Sequence, residues 1–504
     1  MDADDVIVGA GSAGSVLAAR LSERGARVLL LEAGPSDRHP LIQIPAGTLK
    51  LIHHPVLNWN YSAEPGPGTA GRSIHWPRGK VLGGSSSING MLYVRGNPAD
   101  YDGWAQMGCR GRNGPLRIED YRTVLPLTHH FVHAAIAAGD PFRDDLNGCI
   151  QEGVGYSQMT RRGRFRASTA RSFLAPVRGR PNLRVETRAL ATRLLFEGRR
   201  CTGVLFRQGG EEHPVRAARS VILSGGTVNL PQLLQISGIG PAEHLAAIGV
   251  PVIHTLAGVG RNLADHYVAR IAHRVQDTIS VNELAHGLRL AREVVRFAVT
   301  GRGALTFGVT TAQVFCRSRE GLASPDLQLN FTPASHDPER FGALERAPGF
   351  SVAVCPVRPE SRGSIMATSP DPLAPPAIRP EYLSQPNDLR VLLAGLRLTR
   401  EILARPPIAR YSAGETEPGS AATSDEALAH HAHHFGTTLY HPVGTCRMGE
   451  DPAAVVDSRL RVHGIAGLRV IDASVMPAIT TGNTNAPTIM IAEKGAAMIL
   501  EDDQ

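Results

Sequence analysis

The chain opens on a short apolar run, Val6-Ile7-Val8, which leads directly into Gly9-Ala10-Gly11-Ser12-Ala13-Gly14. From Ser15 to Arg24 the apolar residues Val16, Leu17, Ala19 and Leu21 recur at helical spacing, and Gly25 ends the stretch. Val28-Leu29-Leu30-Leu31 is a second continuous apolar run and closes on Glu32. The pattern predicts strand, glycine turn, helix and buried strand, the start of a parallel-sheet nucleotide-binding unit. From about residue 35 to 160 the periodicity fades, and Pro, Gly, His and Ser dominate. That composition predicts loops laid over a ligand rather than a regular sheet. Strand-like runs return between Asn182 and Val221, after which Ser224-Gly225-Gly226 feeds a helix through Leu230 to Gln235. Residues 283–299 and 386–405 read as amphipathic helices, 326–332 and 351–357 as strands of a second layer, and Pro372–Pro380 as a hinge.

Composition narrows the class. With 504 residues, 42% apolar and 20% charged, the chain has material for two or three domains, and a disordered or fibrous protein is excluded. A net charge of +7 invites a nucleic-acid partner, yet the cations are scattered arginines, the only lysines being Lys50, Lys80 and Lys494. Without a basic block and interleaved stacking aromatics, no nucleic-acid partner is expected. The densest stretch, Arg161-Arg162-Gly163-Arg164-Phe165-Arg166, reads as a solvated hairpin or surface face. No run of about 18 apolar residues occurs, so no membrane span is expected. The acidic start lacks the positive region of a secretory leader, and no cysteine pair has Cys-x-x-Cys spacing. These features predict a cytoplasmic protein with reduced thiols and no metal site.

The glycine motif carries specific chemistry. Gly9, Gly11 and Gly14 let the backbone approach a pyrophosphate at a helix N-terminus, with Ser12 and Ala13 in the same turn. The Glu32 carboxylate suits a ribose hydroxyl pair, which favours NAD or FAD over NADP. A second small-residue segment, Gly79-Lys80-Val81-Leu82-Gly83-Gly84-Ser85-Ser86-Ser87-Ile88-Asn89-Gly90, would lay backbone and hydroxyls against a flat, bulky group. A nicotinamide enzyme needs no such second cradle, so FAD is the expected cofactor.

These segments resemble, in the same order and over essentially the whole chain, the glucose-methanol-choline (GMC) family of FAD-dependent oxidoreductases. Gly79–Asn89 resembles the family's first signature, and Gly226–Gly240 its second, with Leu230 where Ser or Thr is usual. Leu468–Pro477 and Gly482–Met490 resemble its closing FAD contact and active-site turn. The resemblance implies that Ala33, Lys80, Gly83, Gly84, Ser85 and Ser87 join the glycine motif around FAD. It adds Asn89, Gly90, Met91 and Ala191, and from the C-terminal part Asp472, Ala473, Asn483, Asn485, Ala486, Pro487 and Thr488. Ile88 stands where some relatives bond FAD through histidine, so attachment is expected to be non-covalent. The implied fold is α/β with an α+β part: a Rossmann-like FAD-binding unit over 1–265 with loop excursions at about 38–160. A sheet-and-helix substrate unit over 266–440 follows, and 441–504 return to the first unit.

Within His441-Pro442-Val443-Gly444-Thr445, the resemblance implies that His441 is the base, with Asn485 as its partner. Imidazole, with an ordinary pKa of ~6.5, suits removal of a hydroxyl proton at neutral pH, and an amide can orient the developing alkoxide. The expected reaction is oxidation of a primary alcohol, aryl or alkyl, to an aldehyde, with dioxygen or a quinone-like acceptor taking the electrons. A hydroxynitrile lyase with structural FAD is the alternative. Thr311 occupies the place of the choline branch's acid, which disfavours a cationic substrate. The chain is shorter than the family's layout between Trp104 and Gly114, which predicts an open pocket, and a monomer or homodimer is expected.

Overall fold

A computed structural model describes residues 2–102, 114–337 and 342–502; the shortened stretch after Trp104 lies outside them. The two opening apolar runs are central parallel strands, Asp2–Val8 and Val28–Glu32, in register with Val6 beside Leu29. Parallel strands are covered on both faces, which is why these runs are continuously apolar instead of alternating. Among the described residues this sheet has seven strands, running Leu183–Thr187, Val28–Glu32, Asp2–Val8, Glu211–Leu223, Arg200–Gln208 and Leu190–Glu197. The seventh, Leu468–Val470, pairs in parallel with Val221–Leu223. The helix Ser12–Glu23 packs against the helix Asn485–Asp502, and Arg20 grips Glu493 through two N–O contacts of 2.7 and 2.8 Å.

A second, antiparallel sheet runs Ser412–Glu417, Tyr267–Val275, Gly349–Pro356, Leu327–Thr332, Ala312–Cys316 and Gly153–Tyr156. The helix Pro386–Leu403 lies on it so closely that a Cβ at Gly395 would meet Val354 at 2.5 Å. Leu392 and Leu396 from the helix join Phe331, Phe350 and Val352 from the strands in one buried core.

The region from 35 to 160 is more regular than expected. It contains the helix Pro126–Ala138 and a small sheet of Leu92–Tyr93, Gln158–Arg162, Ile118–Asp120 and Phe165–Arg166. The arginine-rich stretch is indeed a hairpin, but it is not a solvated face. Arg161 and Arg166 face each other across it and are both buried, while Arg162 and Phe165 point out. Two-residue alternation requires that one member of each successive pair turn inward. The expected hinge at Pro372–Pro380 instead ends in the strand Ala377–Arg379, paired with Ser364–Met366.

Candidate active site

A cavity of about 810 Å³ runs between the two sheets. Its walls take Gly11, Ser12 and Ala13 from the first helix, Gly225, Gly226 and Thr227 from the start of the helix Gly226–Ile236, and Thr484 and Asn485 from the start of the last helix. Three helix N-termini therefore converge on it, each presenting backbone N–H groups and the positive end of its dipole. That donor set suits a pyrophosphate.

The two glycine motifs meet back to back. A Cβ on Gly84 would lie 2.7 Å from Gly11 Cα, and one on Gly14 would lie 1.8 Å from Gly9 O. Gly83 donates from its backbone to Ala10 O at 2.8 Å, which ties the second turn to the first. Glu32 is buried, and each carboxylate oxygen accepts one backbone N–H, from Ala10 at 3.0 Å and Gly34 at 2.9 Å. One lone pair per oxygen is left for a ribose hydroxyl pair. Burial pushes its pKa up to about 7, against those N–H groups and Lys80. Asp472 is held by the N–H groups of Gly226 at 2.7 Å and Ser474 at 2.8 Å, and burial raises its pKa too. Ile88 lies buried on the wall, where it offers no nucleophile. The cradle thus fits a non-covalently bound dinucleotide with a bulky second ring.

Of the expected cofactor residues, Gly9, Gly11, Ser12, Ala13, Glu32, Ala33, Gly84 and Ser85 line the cavity, as do Asn89, Gly90, Met91, Ala191, Asp472, Ala473, Asn483, Asn485 and Thr488. Gly14, Lys80, Gly83, Ser87, Ala486 and Pro487 are not on the wall. Gly14 backs Gly9, Ser87 donates to Leu82 O at 2.7 Å, and the Lys80 ammonium sits 4.3 Å over the Trp59 ring.

His441 lies buried on the cavity wall, held from three sides. Its backbone N–H donates to Asp265 Oδ1 at 2.7 Å, while Thr438 and Tyr382 hydroxyls occupy Oδ2 at 2.6 and 2.5 Å. Tyr440, just before it, is held in the left-handed region at φ 65, and Arg78 donates to its carbonyl at 2.7 Å. The His441 ring touches His266, with Nδ1 to Nδ1 at 3.0 Å, and Asn483, with Nε2 to Nδ2 at 2.9 Å. His266 in turn reaches Val357 O through Nε2 at 3.3 Å.

This chain settles the tautomers. A carbonyl oxygen only accepts, so His266 carries its proton on Nε2 and accepts at Nδ1. His441 must then carry its proton on Nδ1, which leaves the Nε2 lone pair aimed at Asn483 and the cavity. The reverse direction would set two acceptors, His266 Nε2 and Val357 O, against each other. Both rings are neutral at ordinary pH: burial pushes His266 down to about 4, and burial with His266 and Arg78 nearby holds His441 well below the usual imidazole range. The site therefore presents a neutral base whose free nitrogen is specified by a backbone carbonyl two hydrogen bonds away.

The structure does not join His441 to Asn485 as expected. Asn485 is the first residue of the last helix, and its Oδ1 accepts from Ser12 Oγ at 2.7 Å, tying that helix to the glycine turn. Asn483, two residues earlier in the loop, takes the place beside the imidazole, with its own Oδ1 buried and without a partner among the described residues. Sequence reasoning also missed His266 and Asp265; the signal was an Asp-His pair just ahead of the apolar strand that starts at Tyr267. Arg166 was missed as well. Its buried guanidinium donates to Asn89 O and Oδ1, both at 2.7 Å, and to Thr48 Oγ1 at 2.8 Å, bracing the second cradle from behind.

Known proteins resemble this chain over nearly its whole length. The N-terminal part of the GMC oxidoreductase family matches residues 3–268 and the C-terminal part residues 359–492. The chain is 40% identical to an alcohol dehydrogenase (acceptor) of Pseudomonas putida, covering 99% of this chain and 95% of that one. It is 40% identical to a mitochondrial choline dehydrogenase of Mus musculus, covering 98% and 89%. Its fold superposes on the crystal structure of pyridoxine 4-oxidase from Mesorbium loti with a TM-score of 0.90 and 31% identity, covering 99% of both chains. With two glycine turns pressed together, a buried carboxylate after the second strand and an imidazole over the far end of the cavity, the chain belongs to the GMC oxidoreductases, as an FAD-dependent enzyme that oxidises alcohols.

Proposed function

We propose that the enzyme oxidises uncharged primary alcohols, aryl or medium alkyl, to aldehydes, with His441 as the base and Asn483 as its partner. The observation that carries this reading is the directed chain from Val357 O through His266 and His441 to Asn483. The incoming hydroxyl takes the Asn483 N–H onto its own oxygen and donates its proton to the vacated Nε2 lone pair. Asn483 then holds the developing alkoxide, and its amide cannot compete for the proton. Bound FAD supplies the acceptor for the α-hydride, and dioxygen or an organic acceptor later takes the electrons.

The lining supports a neutral substrate. Thr310 and Asn330 are polar but uncharged, and Arg270 adds a cation to the wall. The Thr311 hydroxyl is turned away to Thr128 at 2.9 Å. Glu417, a carboxylate on the wall, is set against Arg270 and lies 3.8 Å from His431. An unpaired quaternary ammonium would face a guanidinium here.

Anaerobic stopped-flow flavin reduction over a panel of aryl, alkyl and cationic alcohols tests the reading. His441→Ala should retain FAD yet slow reduction roughly 10²- to 10⁴-fold, the range of a general base. An undiminished rate in that variant, or choline as the fastest substrate, refutes it; the reoxidation rate on air readmission identifies the acceptor.

A further inference from the structure

The helix Gly287–Thr300 is built the wrong way round for a helix on a core. Its buried side chains are Glu293 and Phe297, whereas Leu288, Val295 and Val299, spaced i, i+7 and i+11 on one stripe, are 90%, 61% and 74% exposed. Beside that stripe, Arg289, Arg292 and Arg296 run along one flank, all exposed. The Phe165 hairpin tip packs on the helix from the side of Phe297, opposite that stripe. Its exposed ring lies 6.4 Å from Phe297, and Arg164 donates to the helix carbonyls of Phe297 at 3.2 Å and Ala298 at 2.5 Å. The Arg164 and Arg171 guanidinium carbons sit 5.9 and 5.4 Å from the Phe165 ring, and Arg302 is exposed just past the helix.

The nearby acids are already engaged. Glu283 pairs with Arg289 at 2.8 Å, Glu293 accepts from Ala304 N at 2.6 Å and pairs with Arg296 at 3.4 Å, and Glu119 accepts from Gly163 N at 2.7 Å, which leaves Arg292 and Arg302 to carry the charge of the rim. The face is therefore apolar at its centre and cationic at its rim. A second copy docked symmetrically here would set arginines against arginines. A bilayer carrying anionic headgroups complements both parts, with the apolar side chains entering the acyl boundary and the arginines reaching the phosphates. Among the described residues no helix is long and apolar enough to cross a membrane, so the helix would lie in the plane.

We propose that this face, the outer stripe of Gly287–Thr300 with its arginine flank, docks the enzyme peripherally on anionic phospholipid. The proposal does not depend on the alcohol chemistry. The test is co-sedimentation of the holoenzyme with phosphatidylcholine vesicles containing about one third phosphatidylglycerol, compared with phosphatidylcholine alone. Wild type should partition to the mixed vesicles about tenfold or more better, and lose that preference at high salt. Val295→Glu with Val299→Glu should cut partitioning by about tenfold or more, given the value of burying a branched aliphatic side chain. Arg292→Glu with Arg302→Glu should remove the headgroup preference, and both double variants should keep their flavin and their melting temperature. No binding of wild type to the mixed vesicles, or unchanged binding of the valine variant, overturns the proposal. So does light scattering that shows a wild-type dimer dissolved by that variant, because the face is then a protein interface.

Discussion

Replacing His266 separates the imidazole-to-imidazole hydrogen bond from the base itself. His266→Ala leaves the His441 Nδ1–H buried without an acceptor and removes the only reason for that tautomer over the one protonated on Nε2. An unsatisfied buried donor costs about 1 to 3 kcal/mol, and about 1.4 kcal/mol is tenfold in rate. If that cost falls on the reactive tautomer, flavin reduction slows roughly 5- to 150-fold while FAD stays bound. His266→Asn keeps both functions of the ring: its carbonyl accepts from His441 and its amide donates to Val357 O. That variant should recover to within about fivefold of wild type. The assay is the anaerobic reduction rate at saturating alcohol, with flavin content and melting temperature measured alongside. Equal rates for the Ala variant and wild type, or an Asn variant as slow as Ala at equal flavin content, refute tautomer control.

The two asparagines should part company. Asn483→Ala slows flavin reduction by about 10²-fold, the order of one lost oxyanion donor, with flavin content unchanged, whereas Asn485→Ala lowers FAD retention on dilution. Gly84→Ala puts a Cβ against Gly11 Cα in a backbone at φ 52; the combined overpacking and strain, about 2 to 4 kcal/mol, should appear as a lower melting temperature and substoichiometric flavin. Stability should also report the histidines. His266 is depressed, so its contribution is complete above the unfolded value near 6.5 and is lost as pH falls towards about 4, some 3 kcal/mol in all. Glu32, raised to about 7, runs the opposite way, its contribution being lost as pH rises from its unfolded value to that point. The histidine share is therefore read as the gap between wild type and His266→Asn in urea unfolding, which should narrow by about 3 kcal/mol between roughly pH 7 and 4.

The opening unit was legible because each of its signals is local: apolar runs, a glycine spacing and a carboxylate all fall within one strand-turn-helix-strand. Glu32, read from the strand pattern, and His441, implied by the resemblance, both lie buried on the cavity wall. The pairing of His441 with Asn485 came from the family resemblance, in a loop that offers two asparagines two residues apart. Asn485 opens the last helix and turns to Ser12, whereas Asn483 stays in the loop beside the imidazole. His266 could not be found from spacing, since it stands 175 residues from the ring it orients, and the Asp265-His266 pair ahead of its strand is the one local sign of it. Arg161 and Arg166 looked solvated because no acid sits near them in sequence. Arg166 is satisfied instead by carbonyls and the Asn89 amide oxygen from distant loops, as at Ile42 O and Ser86 O.

The short strand at Leu468–Val470 gives the order of synthesis a chemical meaning. The glycine turn is made several hundred residues before the edge of its sheet, the carboxylate at Asp472 and the amide that anchors Ser12. A nascent chain holding every residue of the opening motif therefore lacks a finished pocket until Asn485 has been added, and flavin capture must wait for it.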